Sequence, residues 1–170
     1  MRNIYLVGMM GSGKTETARA LAKILSLHAV DLDELITGEE KRSINRIFEL
    51  DGEAYFREVE SRILAQVSIK KNQVVATGGG TVLKESNRHI LLQTGHVIYL
   101  RTRLEMLAER LKSMKDRPLL KAADPKIVLE RIFEERRPYY ECFENVVDTD
   151  LKTPEEVARE IANCYANDNS

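Results

Sequence analysis

Short apolar runs alternate along this chain with stretches whose apolar residues recur every three or four positions. The first run, Ile4-Tyr5-Leu6-Val7, is followed by Ala18, Leu21, Ala22 and Leu25 at i, i+3, i+4 and i+7, one stripe of a helix. A second run over residues 28–32 ends in Asp31-Leu32-Asp33, and two carboxylates spaced i and i+2 leave a strand end pointing the same way. Ser43 caps a short helix through Leu50, and Asp51-Gly52 breaks it before a longer helix whose buried side carries Phe56, Val59, Ile63 and Val67. Residues 73–77 read as a buried strand running straight into Gly78-Gly79-Gly80. A helix over residues 85–94, closed by Gly95, precedes a strand over 96–100 and a helix carrying Leu104, Leu107, Ala108 and Leu111. Asp124-Pro125 opens a further helix as cap and first residue, and Pro138 limits it. The last strand, residues 145–149, leads to Thr153-Pro154-Glu155-Glu156, a capping box, and a final helix reaching about Tyr165.

Five such runs alternating with helices predict an α/β fold with a parallel sheet covered on both faces. The length of 170 residues fits a single domain over 1–170, large enough to bury a real core. In sheets of this kind ligands bind beyond the carboxyl ends of the strands. The segment after Val7, the Asp31/Asp33 pair, the three glycines and the region of Asp148 all fall at such ends.

The segment after Val7 carries the first chemistry. Residues 8–15 read Gly-Met-Met-Gly-Ser-Gly-Lys-Thr between a strand and a helix, which is a phosphate-binding loop. Its glycines let backbone N–H groups turn inward on phosphate oxygens, and the following helix points its positive dipole end at the same charge. Lys14 then bridges the outer phosphates and the Thr15 hydroxyl holds a magnesium ion. Asp31 and Asp33 add carboxylates, Arg57 and Arg136 add guanidinium forks, and Arg117 sits in a basic loop over residues 112–123. Together they predict phosphoryl transfer from ATP, with Mg2+, to an anionic small molecule. The 26 Lys plus Arg against 27 Asp plus Glu leave a net charge of −1 at pH 7, with no bulk attraction to nucleic acid or to an anionic membrane. Neither a secretory leader nor a membrane span is legible, so a cytoplasmic protein is expected. Without a coiled-coil seam it is read as a monomer.

Asp31-Leu32-Asp33, Asp51-Gly52-Glu53-Ala54-Tyr55-Phe56-Arg57, Gly78-Gly79-Gly80, Arg117-Pro118-Leu119-Leu120 and Arg136-Arg137-Pro138-Tyr139-Tyr140 resemble, in order, the motifs of the shikimate kinases. The resemblance implies a P-loop kinase fold, a three-layer sandwich with strand order 2-3-1-4-5, a substrate-binding segment over about 33–61 and a mobile lid over about 112–123. It implies transfer of the ATP γ-phosphate to the 3-hydroxyl of shikimate. Asp33 then holds the attacking hydroxyl and acts as base, and Asp31 orients waters on the magnesium. Arg57 and Arg136 clamp the shikimate carboxylate, with Glu60 bracing Arg57, while Arg137 beside Arg136 leaves open which of the two is the ligand. Gly78, Gly79 and Gly80 bring backbone close to the substrate and γ-phosphate, and Arg117 reaches the phosphates from the lid. Gly11, Ser12, Gly13, Lys14, Thr15 and position 16 surround the phosphates, with Arg110 and Lys152 flanking the adenine.

Position 16 departs from the family, which places a small hydroxyl residue where this chain has Glu16. A carboxylate there suits the helix dipole but stands near phosphate charge, which implies a raised Michaelis constant for ATP. A kinase of the gluconate type shares fold and loop without needing the Arg57/Arg136 clamp. An inactive nucleotide-binding regulator is the reading from another class, and the presence of Asp33, Lys14, Thr15 and Arg117 stands against it.

Overall fold

The computed structural model describes residues 2–112 and 124–168, the side chains of 166–168 excepted. Five strands, β1 (Asn3–Val7), β2 (His28–Asp31), β3 (Gln73–Ala76), β4 (Gly95–Arg101) and β5 (Asn145–Asp148), form one parallel sheet in the order β2-β3-β1-β4-β5. Among the described residues seven α-helices flank it: α1 (Lys14–Leu25), α2 (Leu32–Glu40), α3 (Ile44–Ile69), α4 (Glu85–Thr94), α5 (Leu104–Leu111), α6 (Pro125–Glu141) and α7 (Pro154–Asp168). The class, parallel pairing and strand order are those expected. The lid expected at 112–123, with Arg117, lies outside the described residues save for Lys112. None of the described helices is long and apolar enough to cross a membrane.

Alternation along the central strand sorts the core into two layers. Ile4 and Leu6 of β1 pack with Ala18 and Leu21 of α1 and Val157 and Ile161 of α7 on one face. Tyr5 and Val7 pack on the other with residues of α3 to α6, among them Ile63, Leu91, Leu107 and Ile132. These four apolar side chains of β1 are fully buried, each contributing about 1.5–3 kcal/mol of transfer free energy. This fixes β1, and with it the start of the phosphate loop, at the centre of the molecule.

Three local features differ from expectation. First, β2 ends at Asp31 and the chain turns at once into α2, which the sequence reading omitted. Asp31 is its N-cap, so Asp33 sits in a helical turn and does not share a strand end with Asp31. Second, α6 passes through Pro138 and continues to Glu141. Proline removes one backbone donor and crowds the previous turn, at about 3 kcal/mol in an ordinary helix interior. Tyr140, fully buried beyond it, anchors the last turn in the core and offsets that cost. Third, Gly95 closes α4 through its N–H to the Leu91 carbonyl but is extended, not left-handed. Glycine stands there for space, since a Cβ would overlap the Asn3 carbonyl oxygen and the Tyr5 ring. At Gly52 the expected break is a kink inside α3, with φ 82° and ψ 172°, a conformation that glycine reaches cheaply. The caps at Ser43, Asp124 and Thr153 form as predicted.

Gly95→Ala is therefore expected to destabilise the protein by about 1–3 kcal/mol, lowering Tm by roughly 2–4 °C per kcal/mol at this chain length. A thermal melt of the variant indistinguishable from wild type would contradict the close approach of β4 to β1.

Candidate active site

The phosphate loop bridges β1 and α1. Gly11 and Gly13 have φ of 82° and 86°, and the left-handed turns carry the chain around so that α1 begins at Lys14. The first-turn amides of α1 have no partners within the helix and face the loop, as an anion site requires. Lys14 is buried, and its ammonium donates to the carbonyl oxygens of Gly8 and Met9, each at 2.8 Å. Ser12 is buried beneath it. The Thr15 hydroxyl donates to Asp31 Oδ2 at 2.5 Å, while Asp31 Oδ1 caps α2 through the N–H groups of Asp33 at 2.9 Å and Glu34 at 3.3 Å. One carboxylate thus starts α2 and joins it to the head of α1. Glu16 turns outward, 62% exposed, and pairs at 2.7 Å with Arg19, which also holds Glu34 at 2.5 Å.

The second half of the site forms around the three glycines after β3. A Cβ on Gly78 would overlap Glu60 Oε1 and stand 3.3 Å from Asp33 Oδ1. One on Gly79 would lie 3.2 Å from Arg136 Nη1 and 3.3 Å from the Met10 N of the phosphate loop, and one on Gly80 would overlap the Arg57 guanidinium. Asp33 from α2, Arg57 and Glu60 from α3 and Arg136 from α6 therefore converge on one stretch of bare backbone beside the loop.

Glu60 organises this half. Fully buried, it accepts from Arg57 Nη1 on Oε2 at 2.8 Å and from the Thr81 hydroxyl on Oε1 at 2.7 Å. Arg57 also donates to Glu53 Oε1, by Nε at 3.3 Å and Nη2 at 3.1 Å. Burial alone would lower the Arg57 pKa, but the Glu60 and Glu53 carboxylates outweigh it and leave the group above the ordinary arginine range. Removing one partner from such a buried pair costs about 3–5 kcal/mol, so Arg57 is fixed in place.

The neighbouring arginines separate cleanly. Arg136 is 5% exposed and faces Gly79, whereas the Arg137 side chain is 47% exposed and pairs with Glu134 at 3.0 Å. The alternation of a helix surface decides this, since adjacent residues cannot face the same way.

On the far side of the loop a cavity of about 330 Å³ is lined by Gly11, Ser12, Gly13, Thr17, Arg110, Thr149, Lys152 and two residues of α7. Arg110 donates to the Gly11 carbonyl at 3.2 Å and the Thr149 carbonyl at 3.0 Å, tying α5 to the loop. Lys152 pairs at 2.6 Å with Glu160, whose hydrogen bond raises its pKa. Asp148 instead turns to the exposed Arg101, at 2.6 Å and 2.8 Å. Thr17 and Thr149 at this cavity, and Thr81 beside Glu60, are not among the residues expected at the site, and Tyr140 enters only as the last residue of the motif that begins at Arg136. Only the position of Thr149 at a strand end pointed toward it.

The model of the family described as shikimate kinase matches residues 10–166. A shikimate kinase of Caldanaerobacter subterraneus subsp. tengcongensis is 40% identical over 165 residues, covering 97% of this chain and 96% of that one. Shikimate kinase from Acinetobacter baumannii, solved in complex with shikimate, superposes with a TM-score of 0.95 at 36% identity, covering 99% of this chain and 94% of that one. A gluconokinase from Sinorhizobium meliloti, at 20% identity and a TM-score of 0.61 over 98% and 94% of the two chains, shares the fold alone. Sequence and structure agree along nearly the whole length, and the chain belongs to the shikimate kinase family.

Proposed function

We propose that this chain transfers the γ-phosphate of ATP to the 3-hydroxyl of shikimate, giving shikimate 3-phosphate and ADP on the route to chorismate and the aromatic amino acids. The observation that carries this reading is the convergence of Asp33, Arg57 and Arg136 on the bare backbone of Gly78–Gly80, immediately beside the phosphate loop. A compact ring acid fits such a pocket, its carboxylate held by two guanidinium forks and its hydroxyl presented to an aspartate. Each charge-assisted contact contributes about 1.5–3 kcal/mol.

The chemistry then follows from position and charge. Asp33 accepts the proton of the attacking hydroxyl as its oxygen bonds to the γ-phosphorus, and the bond from that phosphorus to the β–γ bridging oxygen breaks to release ADP. Lys14 and the loop amides of Gly11, Ser12 and Gly13 spread the charge that builds on the phosphate oxygens. Gly78, Gly79 and Gly80 admit the substrate against backbone. Arg110 and Lys152 flank the adenine in the cavity lined by Thr149. The Thr15 hydroxyl and the Asp31 carboxylate are hard oxygen donors standing together at the head of α1, and suit Mg2+ held by Thr15 directly and by Asp31 through water. When bound, that ion neutralises phosphate charge. The whole of 1–170 acts as one domain, monomeric and cytoplasmic, with about 33–61 as its acceptor-binding segment.

A coupled ADP-release assay offering shikimate, gluconate and nucleoside monophosphates separately is expected to show turnover with shikimate alone. Asp33→Asn should lower kcat by about 10²–10⁴ while leaving ATP binding intact. Turnover with another acceptor, or an unimpaired Asp33→Asn enzyme, would overturn the assignment.

Glu16 adds negative charge at the phosphate end of α1, partly offset by Arg19. Glu16→Thr is expected to lower the KM for ATP by about two- to fivefold, the size of an exposed charge effect. An unchanged KM would remove Glu16 from the nucleotide site.

A further inference from the structure

Because α6 continues through Pro138, it delivers Tyr140 under the acceptor half of the site. The side chain is 1% exposed. Its ring stacks on Tyr99 of β4 at a centroid distance of 5.2 Å and an interplanar angle of 14°. Its hydroxyl donates to the Gly79 carbonyl oxygen and lies 3.7 Å from Met9 Sδ of the phosphate loop. Arg136, one helical turn earlier, stands against both groups: its Nη1 faces Gly79, and its charge favours ionisation of the Tyr140 phenol. Burial outweighs that influence and pushes the phenol far up, so the hydroxyl remains a donor.

A buried ring needs no hydroxyl for packing, and a hydroxyl at full burial is retained only with a partner. Here the partner is the backbone of the glycine stretch that the acceptor must touch. Holding the Gly79 carbonyl toward α6 aims the Gly80 N–H the opposite way, since the peptide is planar and trans. Three glycines in a row have little stiffness of their own. Their orientation has to come from outside the segment.

We propose that Tyr140 is a positioning residue for the carboxylate-binding end of the acceptor pocket, fixing the Gly79–Gly80 peptide plane and the Arg136 guanidinium from beneath. This rests on the shikimate kinase reading above. The Tyr140 hydroxyl acts through the Gly79 carbonyl, at the carboxylate end of the proposed pocket, so its loss is expected to act on acceptor binding and not on the chemical step.

The test is Tyr140→Phe in the full chain, which keeps the stacked ring and removes the hydroxyl. Steady-state kinetics are measured with shikimate and with its carboxamide analogue, which lacks the charge. The KM for shikimate is expected to rise about tenfold, with kcat and the KM for ATP within about twofold of wild type. The preference for shikimate over the carboxamide, as a ratio of kcat/KM, is expected to fall by a similar factor. A merely structural tyrosine would lower both acceptors alike, and that outcome, or an unchanged KM for shikimate, overturns the proposal. Tyr99→Leu, which removes the stacking partner and leaves the Tyr140 hydroxyl, is expected to keep the ratio of shikimate to carboxamide within about twofold of wild type; a fall as large as that of Tyr140→Phe would overturn the proposal. A wild-type chain that turns over no shikimate would instead overturn the kinase reading itself.

Discussion

Three consecutive positions without side chains, Gly78 to Gly80, are the constraint on which this site depends. Each faces a different group: a Cβ would overlap Glu60 at Gly78 and Arg57 at Gly80, and would press tightly on Arg136 at Gly79. The groups come from α2 and α3, which are consecutive, and from α6, much later in the chain, and they meet at the end of β3, which lies next to β1 in the sheet. That pairing brings the end of β3 beside the phosphate loop, where Thr77 N–H donates to the Leu6 carbonyl at 3.1 Å. The phosphate loop and the glycine stretch thus share one crevice by virtue of strand order.

The two guanidinium groups are not equivalent. Arg57 is held by Glu53 and Glu60, so part of its charge is already matched before an acid arrives. That pairing makes it rigid, which lowers the ordering cost of binding. Arg136 instead faces Gly79 and Tyr140, both neutral groups. On the proposed reading both guanidinium groups meet the acceptor carboxylate, Arg57 with its position already fixed by Glu53 and Glu60. Asp31 shows a similar economy, one oxygen starting a helix and the other meeting Thr15.

Features set by local rules were legible in the sequence. The phosphate loop, five strands within a residue or two, and the caps at Ser43, Asp124 and Thr153 depend on neighbours a few positions away. So did the helix break at Gly52. Asp31 three positions before Glu34 also carries the signature of α2, which apolar spacing alone does not show. What could not be read were consequences of packing at long range. Pro138 stands within α6 because a buried tyrosine beyond it repays the lost hydrogen bond, and Gly95 is required by the Asn3 carbonyl on the neighbouring strand. The resemblance leaves Arg136 and Arg137 open as the ligand, and what separates them is which side of α6 faces the glycines. Arg117 belongs to residues outside those described.

The claim that a guanidinium-walled pocket at the glycine stretch receives the acceptor carboxylate is tested most directly by titration calorimetry of shikimate against wild type, Arg136→Ala and Arg137→Ala. Loss of one charge-assisted contact predicts affinity weakened roughly ten- to hundredfold for Arg136→Ala and within about twofold of wild type for Arg137→Ala. Undiminished affinity in Arg136→Ala, or the larger loss in Arg137→Ala, would contradict the account.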